Sequence, residues 1–218
     1  MSARFALSED LDAPWPDVAL PDDLEQKLIE RLIARDERAF NELVRLYERR
    51  VFSLIFRMLG NAAEAEDMAQ EVFVQVFKAI GNFRGDSKLS TWIYRIAINL
   101  CKNRAKYLKV RHANEQDELE EVAERQHLGA QAGSNVAQVE RPDEMIAGKE
   151  VERVVQTAIA QIDETFRECL ILRDVEELSY EEIGEITGLP PGTVKSRIFR
   201  ARAMLREIVE RMLGEKIK

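Results

Sequence analysis

Apolar residues recur at steps of three and four along most of the chain, which is the spacing of one buried stripe on an α-helix. The pattern starts near Leu24 and continues through Leu28, Ile29, Leu32 and Ile33. A longer run holds Phe40, Leu43, Val44, Tyr47, Val51, Leu54, Ile55 and Met58 on one face, and Gly60 suits a left-handed helix end there. Asn61 with Glu64 then reads as a capping-box-like start. The stripe of that helix is Met68, Ala69, Val72, Phe73, Val76, Phe77 and Ile80, with Glu64, Asp67, Gln70, Glu71 and Gln75 on the polar side.

Gly81 and Gly85 bracket a short loop containing Phe83 and Arg84. The spacing predicts a further helix over about 88–109. Its apolar face is Leu89, Trp92, Ile93, Ile96, Ala97 and Leu100, and a second stripe carries Lys88, Arg95, Asn99, Lys102, Lys106 and Lys109. Residues 111–145 have few large apolar side chains and no aromatic one. Such a stretch cannot offset about 1–2 kcal/mol of backbone entropy per ordered residue, so it reads as a linker with at most transient helix. Periodicity returns with Val151, Val154, Val155, Ala158, Ile159 and Ile162, then with Phe166, Cys169, Leu170, Leu172 and Val175. Ser179 and Glu182 form another capping box, Gly188 stops the short helix, and Pro191 suits the first position of a last one. The inner face of that last helix is Val194, Ile198, Ala201, Leu205, Ile208 and Met212.

These elements predict an all-α protein of two small helical domains joined by a flexible linker. The segments are a flexible acidic tail over 1–22, one domain over 23–110, the linker over 111–145 and a second domain over 146–214. Among the 218 residues, 45% are apolar and 33% charged, as a packed core with a charged surface requires. No run approaches the roughly 20 apolar residues of a membrane span, and the acidic N-terminus has no signal-peptide pattern, so a cytoplasmic protein without membrane insertion is expected. Cys101 and Cys169 could form a disulfide, ligate a metal or stand as buried thiols; a reducing cytoplasm and the lack of nearby Cys or His favour buried thiols.

Net charge is -8, yet its distribution changes the picture. Residues 84–111 hold eight bases and one acid, and residues 191–206 hold five bases and no acid. Residues 1–25 and 112–152 are acidic in compensation. The second positive island follows a short helix and the turn Gly188-Leu189-Pro190, which together form a helix-turn-helix signature. Lys195, Arg197, Arg200 and Arg202 on its second helix, with Thr193 and Ser196 near the start, suit guanine edges and phosphates. In the first island Phe83, Trp92 and Tyr94 lie beside cations, with Asn99 and Asn103 nearby. That mixture suits unstacked bases, although a solvated amphipathic helix with Trp92 in the core fits equally well. The acidic face at 64–75 is either plain surface or a dock for a basic partner.

Three blocks resemble the extracytoplasmic-function sigma factors of bacterial RNA polymerase. Asn61-Ala-Ala-Glu-Ala-Glu-Asp67-Met-Ala-Gln70-Glu71-Val-Phe73 resembles their polymerase-binding helix. Phe83-Arg-Gly-Asp-Ser-Lys-Leu-Ser-Thr-Trp92-Ile-Tyr-Arg95-Ile-Ala-Ile-Asn99 resembles their promoter-melting element. Leu178-Ser-Tyr180-Glu-Glu-Ile-Gly, continued by Gly192-Thr-Val-Lys195-Ser-Arg197-Ile-Phe-Arg200-Ala-Arg202, resembles their upstream-element reader. The resemblance implies sigma domain two over 23–110 and sigma domain four over 146–214. It places Asp67, Gln70 and Glu71 on the polymerase clamp. Phe83, Arg84, Asp86, Ser87, Lys88, Thr91, Trp92, Arg95, Asn99, Lys102 and Asn103 would contact the downstream promoter element, with a flipped base in the loop 85–90. Ser179, Tyr180, Thr193, Lys195, Ser196, Arg197 and Arg200 would contact the upstream element. The implied partners are core RNA polymerase at its clamp and flap regions, promoter DNA and an anti-sigma factor controlling a stress or envelope regulon. No cofactor, metal or catalytic residue is expected. A stand-alone helix-turn-helix regulator would explain only the C-terminal half. For an enzyme the chain offers no Walker loop, nucleophile elbow or Cys/His pairing.

Overall fold

In the structure, a computed structural model that describes residues 20–123 and 145–214, eight helices follow one another with no strand among the described residues. They are α1 (Asp22–Ile33), α2 (Glu37–Leu59), α3 (Ala62–Ala79), a 3-10 turn (Ile80–Asn82), α4 (Leu89–Ala123), α5 (Met145–Gln161), α6 (Glu164–Asp174), α7 (Tyr180–Thr187) and α8 (Pro191–Leu213). The 1–22 tail falls outside the described residues up to position 19, as does the linker over 124–144.

Local signals set most helix ends. The Asp36 side chain accepts from the Arg38 N–H at 2.9 Å to start α2, and Gly60 ends it with φ 77°. Asn61 accepts from the Glu64 N–H at 3.1 Å. The Glu64 carboxylate, however, turns to Arg104 of α4 at 2.8 Å, so it ties two helices together. Another cap comes from far along the chain, where Glu25 of α1 accepts from the Leu89 N–H at 2.7 Å and satisfies a first-turn donor of α4.

In the first half, α2, α3 and α4 bury Leu43, Tyr47, Val51, Leu54, Ile55, Ala69, Val72, Val76, Leu89, Ile93 and Ala97 against one another. In the second half, α5, α6 and α7 pack around α8 over Ile159, Ile162, Cys169, Ile183, Ile186, Val194, Ile198 and Ala201. Four residues of the expected apolar stripes are not core, and Leu24 and Ile33 stand exposed at the two ends of α1. Phe77 is 45% exposed, because it forms a shelf at the edge, with Phe40 edge-on at 5.2 Å and the Arg35 guanidinium over its ring at 4.8 Å. Met212 is 41% exposed in the last turn of α8, and Val209 is buried instead. A further difference is α4, which runs on to Ala123, well into the segment read as linker. That stretch is rich in Glu, Gln and Ala, which are strong helix formers, so intrinsic helix propensity accounts for the extension.

The halves meet along α2 and α4. Tyr94, Ile98 and Cys101 form a second buried face of α4, opposite the expected one and turned toward the second half. Both thiols are free and buried. Burial pushes Cys101 up to about 12 and Cys169 up to about 11. Because the thiolate is the reactive species, a thiol reagent at pH 8 should label neither cysteine of the native protein on the timescale that labels both in urea. Rapid native labelling would show that this burial is absent in solution.

Candidate nucleic-acid and polymerase interfaces

A reciprocal capping box opens α7, in which Ser179 accepts from the Glu182 N–H at 3.1 Å and Glu182 accepts from the Ser179 N–H at 2.8 Å. Gly188, with φ 75°, closes the helix by donating to the Gly184 carbonyl at 2.8 Å. Pro190 is the N-cap of α8 and Pro191 its first residue. This turn is tight enough that a Cβ on Gly184 would stand 2.8 Å from the Leu189 carbonyl oxygen. Gly184 is therefore a close-approach glycine, and the apolar pattern of the chain gives no hint of it.

The turn presents the outer face of α8. Lys195, Ser196 and Arg200 are exposed, and Thr193 and Arg197 are half-buried. Ser196 donates to the Thr193 carbonyl at 2.9 Å. Arg202 pairs with Asp174 at 2.9 Å, so one cation of the expected surface is already neutralised. Tyr180 is half-buried under the Arg173 guanidinium at 5.2 Å, and Ser179 is committed to its cap. Sequence reading passed over Phe199, which is 75% exposed between Lys195 and Arg200. The available signal was its position off the inner stripe. Its ring adds an apolar contact of the kind a thymine methyl offers to an otherwise cationic face.

The first island divides differently. Phe83 and Trp92 pack ring to ring at 5.2 Å and half-buried, forming an aromatic base beneath the loop. Trp92 is thus both a core neighbour and a partly open surface. Arg84, Asp86 and Lys88 are exposed on the loop, Ser87 is half-buried and Gly85 has φ 75°. Along α4, Asn99 and Asn103 are exposed, while Arg95 and Lys102 are half-buried. Tyr94 and Thr91 depart from expectation, at 1% and 0% exposure. Tyr94 lies beside Glu176 of the second half, where burial first and Glu176 second hold its phenol well above its usual pKa. Neither side chain can reach a base in this arrangement.

Asp67, Gln70 and Glu71 are all exposed on one face of α3. Val74, 42% exposed, extends that face by one turn and escaped the sequence reading. Beside it, α3 and α4 enclose a groove of about 370 Å³ lined by Glu64, Asp67, Met68, Glu71, Leu100, Asn103 and Arg104. Asp67 and Glu71 stand on its α3 side, and Asn103 and the Glu64-paired Arg104 on its α4 side, over an apolar floor of Met68 and Leu100.

Known proteins resemble both halves. Residues 43–110 match the Sigma-70 region 2 family, and residues 152–205 match Sigma-70, region 4. The RNA polymerase sigma-H factor of Pseudomonas aeruginosa is 39% identical over 90% of this chain and 99% of its own length. The ECF RNA polymerase sigma-E factor of Haemophilus influenzae is 38% identical over 87% of this chain and 97% of its own. Among solved structures, CnrH in complex with the cytosolic domain of CnrY has a TM-score of 0.60 at 21% identity, covering 85% of this chain and 97% of that one. The sigma factor RpoE of Bartonella quintana, in complex with the anti-sigma factor NepR, has a TM-score of 0.57 at 22% identity, covering 78% and 96%.

Proposed function

Since this chain belongs to the extracytoplasmic-function family of RNA polymerase sigma factors, we propose how its surfaces divide the work of initiation. The protein binds core RNA polymerase and directs transcription initiation at promoters. The acidic face of α3, with Asp67, Gln70, Glu71 and Val74, docks on the polymerase clamp, and the second half docks near the flap. The loop over 83–88, with Phe83 and Trp92 at its base, takes an unpaired base of the downstream element, and Arg95, Asn99, Lys102 and Asn103 follow the strand. The outer face of α8 reads the upstream element through Thr193, Lys195, Ser196, Arg197 and Arg200. Base flipping costs a few kcal/mol of unstacking, which polymerase offsets by joining two weak DNA contacts on one platform.

The observation that carries this division is that one chain holds both a formed helix-turn-helix and a separate basic loop with an aromatic base. A stand-alone regulator needs only the first. Run-off transcription with purified core polymerase on genomic DNA should give new, discrete 5′ ends when the protein is added. Tight operator binding by the protein alone, with no new transcripts, would overturn the reading. Charge reversal at Asp67→Lys with Glu71→Lys should weaken core binding by about tenfold or more. The same variant should retain its own DNA affinity; titration of labelled protein with core polymerase checks the first point.

We also assign the protein an inhibitor, an anti-sigma factor, in control of a stress or envelope regulon, because its solved relative from Bartonella quintana was obtained with one. Purification from the host under non-inducing conditions should bring down a stoichiometric inhibitor rather than polymerase. No helix among the described residues is long and apolar enough to cross a membrane, and the work assigned to the protein places it with polymerase in the cytoplasm.

A further inference from the structure

The loop over 83–88 hangs between the end of α3 and the start of α4, and α1 with its turn supplies a side chain to each end. At the start of α4 the Trp92 N–H donates to the Lys88 carbonyl at 3.1 Å, so Lys88 holds the capping position. An ammonium only donates, so Lys88 cannot satisfy the first-turn N–H groups of its own helix. The Glu25 carboxylate of α1 does so from 64 positions away, accepting from the Leu89 N–H at 2.7 Å. A negative charge is also the favourable one at a helix N-terminus. Leu89 is fully buried, so loss of this acceptor leaves its N–H short of a partner. At the other end, the last carbonyls of α3 also look outside the helix for partners. The Arg35 guanidinium donates to one of them, that of Phe77. Arg35 sits in the α1–α2 turn with φ 62°, and Arg31 fixes that turn by bridging Asp36 and Glu42 at 2.9 Å to each.

Packing of α1 aims Glu25. It is half-buried, three and four positions before the buried pair Leu28 and Ile29. Its charge also reaches the Tyr47 phenol of α2, which burial first and Glu25 second push up to about 12. One carboxylate therefore stands where α1, α2 and α4 meet, at the residue that follows the loop.

We propose that Glu25 is the positioning residue of the promoter-reading loop, holding the first turn of α4 so that Phe83 and Trp92 keep the shape into which an unpaired base fits, with Arg35 anchoring the opposite end. The inference rests on the assignment of this loop to the downstream element. Glu25 touches no base itself. Its effect is preorganisation, since a loop already held in its bound shape loses less freedom on binding. Glycine adopts either sign of φ, so Gly85 at φ 75° constrains the middle of the loop little and the two ends carry the constraint.

The test uses full-length protein in holoenzyme and a single-stranded oligonucleotide of the downstream element mapped by run-off transcription, intact or made abasic at each position in turn. In the wild type, the abasic position that falls in the loop should weaken binding most. Glu25→Ala should bind the intact strand about fivefold more weakly, as expected for a lost helix cap that lowers the competent fraction. It should bind that abasic strand as the wild type does. Glu25→Gln keeps an acceptor oxygen without the charge, and should stay within about twofold of the wild type on both strands. Titration with core polymerase should not distinguish the three proteins. Asp163→Ala removes the side-chain cap of α6 and so controls for cap loss as such; its ratio of intact to abasic affinity should match the wild type. Hydrogen exchange on the unsubstituted protein adds a measurement that no variant can spoil, in which the Leu89 amide should be protected although helix geometry gives it no partner. Wild-type behaviour of Glu25→Ala on both strands, or a Leu89 amide that exchanges as in an unfolded chain, overturns the positioning role and leaves the loop assignment standing. Equal weakening on intact and abasic strands, in Glu25→Ala and Glu25→Gln alike, overturns it in favour of a charge effect. A wild-type holoenzyme that binds the strand equally well whichever position is abasic would sink the loop assignment, and the positioning role with it.

Discussion

Replacing Gly184 with valine should abolish promoter-directed transcription while leaving the clamp contact of the first half intact. The Cβ would stand 2.8 Å from the Leu189 carbonyl oxygen, and the obstruction is backbone rather than a side chain that can swing away. Relief requires α7 and the turn to separate, which re-aims α8. Overpacking of this kind costs about 1–3 kcal/mol, sometimes more, and valine adds a second γ-branch to the clash. The second half would melt early or dock askew. The first half carries Asp67, Gln70 and Glu71 and should still bind core polymerase. Thermal melting, core titration and run-off transcription on one preparation would check this. Normal transcript levels would mean that the turn has slack the structure does not show. Gly188 makes the contrast: its φ is 75° but nothing lies near its Cβ, so Gly188→Ala should cost only the left-handed backbone penalty of about 1–2 kcal/mol.

The double substitution Lys195→Ala with Arg200→Ala should weaken upstream-element recognition by roughly one and a half to four orders of magnitude. Each exposed cation stands to lose about 1–3 kcal/mol if it reads a base edge, and about 1.4 kcal/mol is tenfold. Their roles separate by experiment. A residue that reads a base loses affinity most on the intact promoter and little on one altered at that base. A residue on phosphate weakens every sequence alike and lowers the salt slope by about 1. Filter binding of holoenzyme at several salt concentrations, on intact and altered upstream elements, distinguishes the two. Wild-type affinity in the double variant would remove α8 from the promoter altogether. Both side chains are solvent-exposed, so stability should stay within about 0.5 kcal/mol.

Much of this was legible along the chain. Capping boxes, helix-stopping glycines and the three-four stripe place the helix-turn-helix, because each is a local rule acting within one or two turns. Asn61, Ser179, Gly60, Gly188 and Pro191 all act at the ends where sequence places them. The exposed face of Lys195, Ser196 and Arg200 follows from the same stripe, since whatever the inner face excludes must point outward. The departures have two causes. Phe77 and Met212 follow from the period of their own helix, and a period says which side a residue is on but not whether anything lies there, whereas Tyr94 is read from the cations beside it in the chain. Phe77 and Met212 overhang their neighbours, whereas Tyr94 faces a second half that local spacing cannot see.

The sequence by itself determined the helices, their ends, the two positive islands and the family. All of these depend on residues within a few turns of one another or on short blocks in fixed order. Only the tertiary structure decided which charges meet. Lys102 and Glu168 are 66 positions apart, and Lys88 and Glu182 are 94 apart. No periodicity links them, because the energy of such a pair depends on distance and burial set by how whole helices pack. The same holds for the Leu189 carbonyl over Gly184, the Glu25 cap on α4 and the second buried face of α4. Composition supplied the cations, and packing chose their partners.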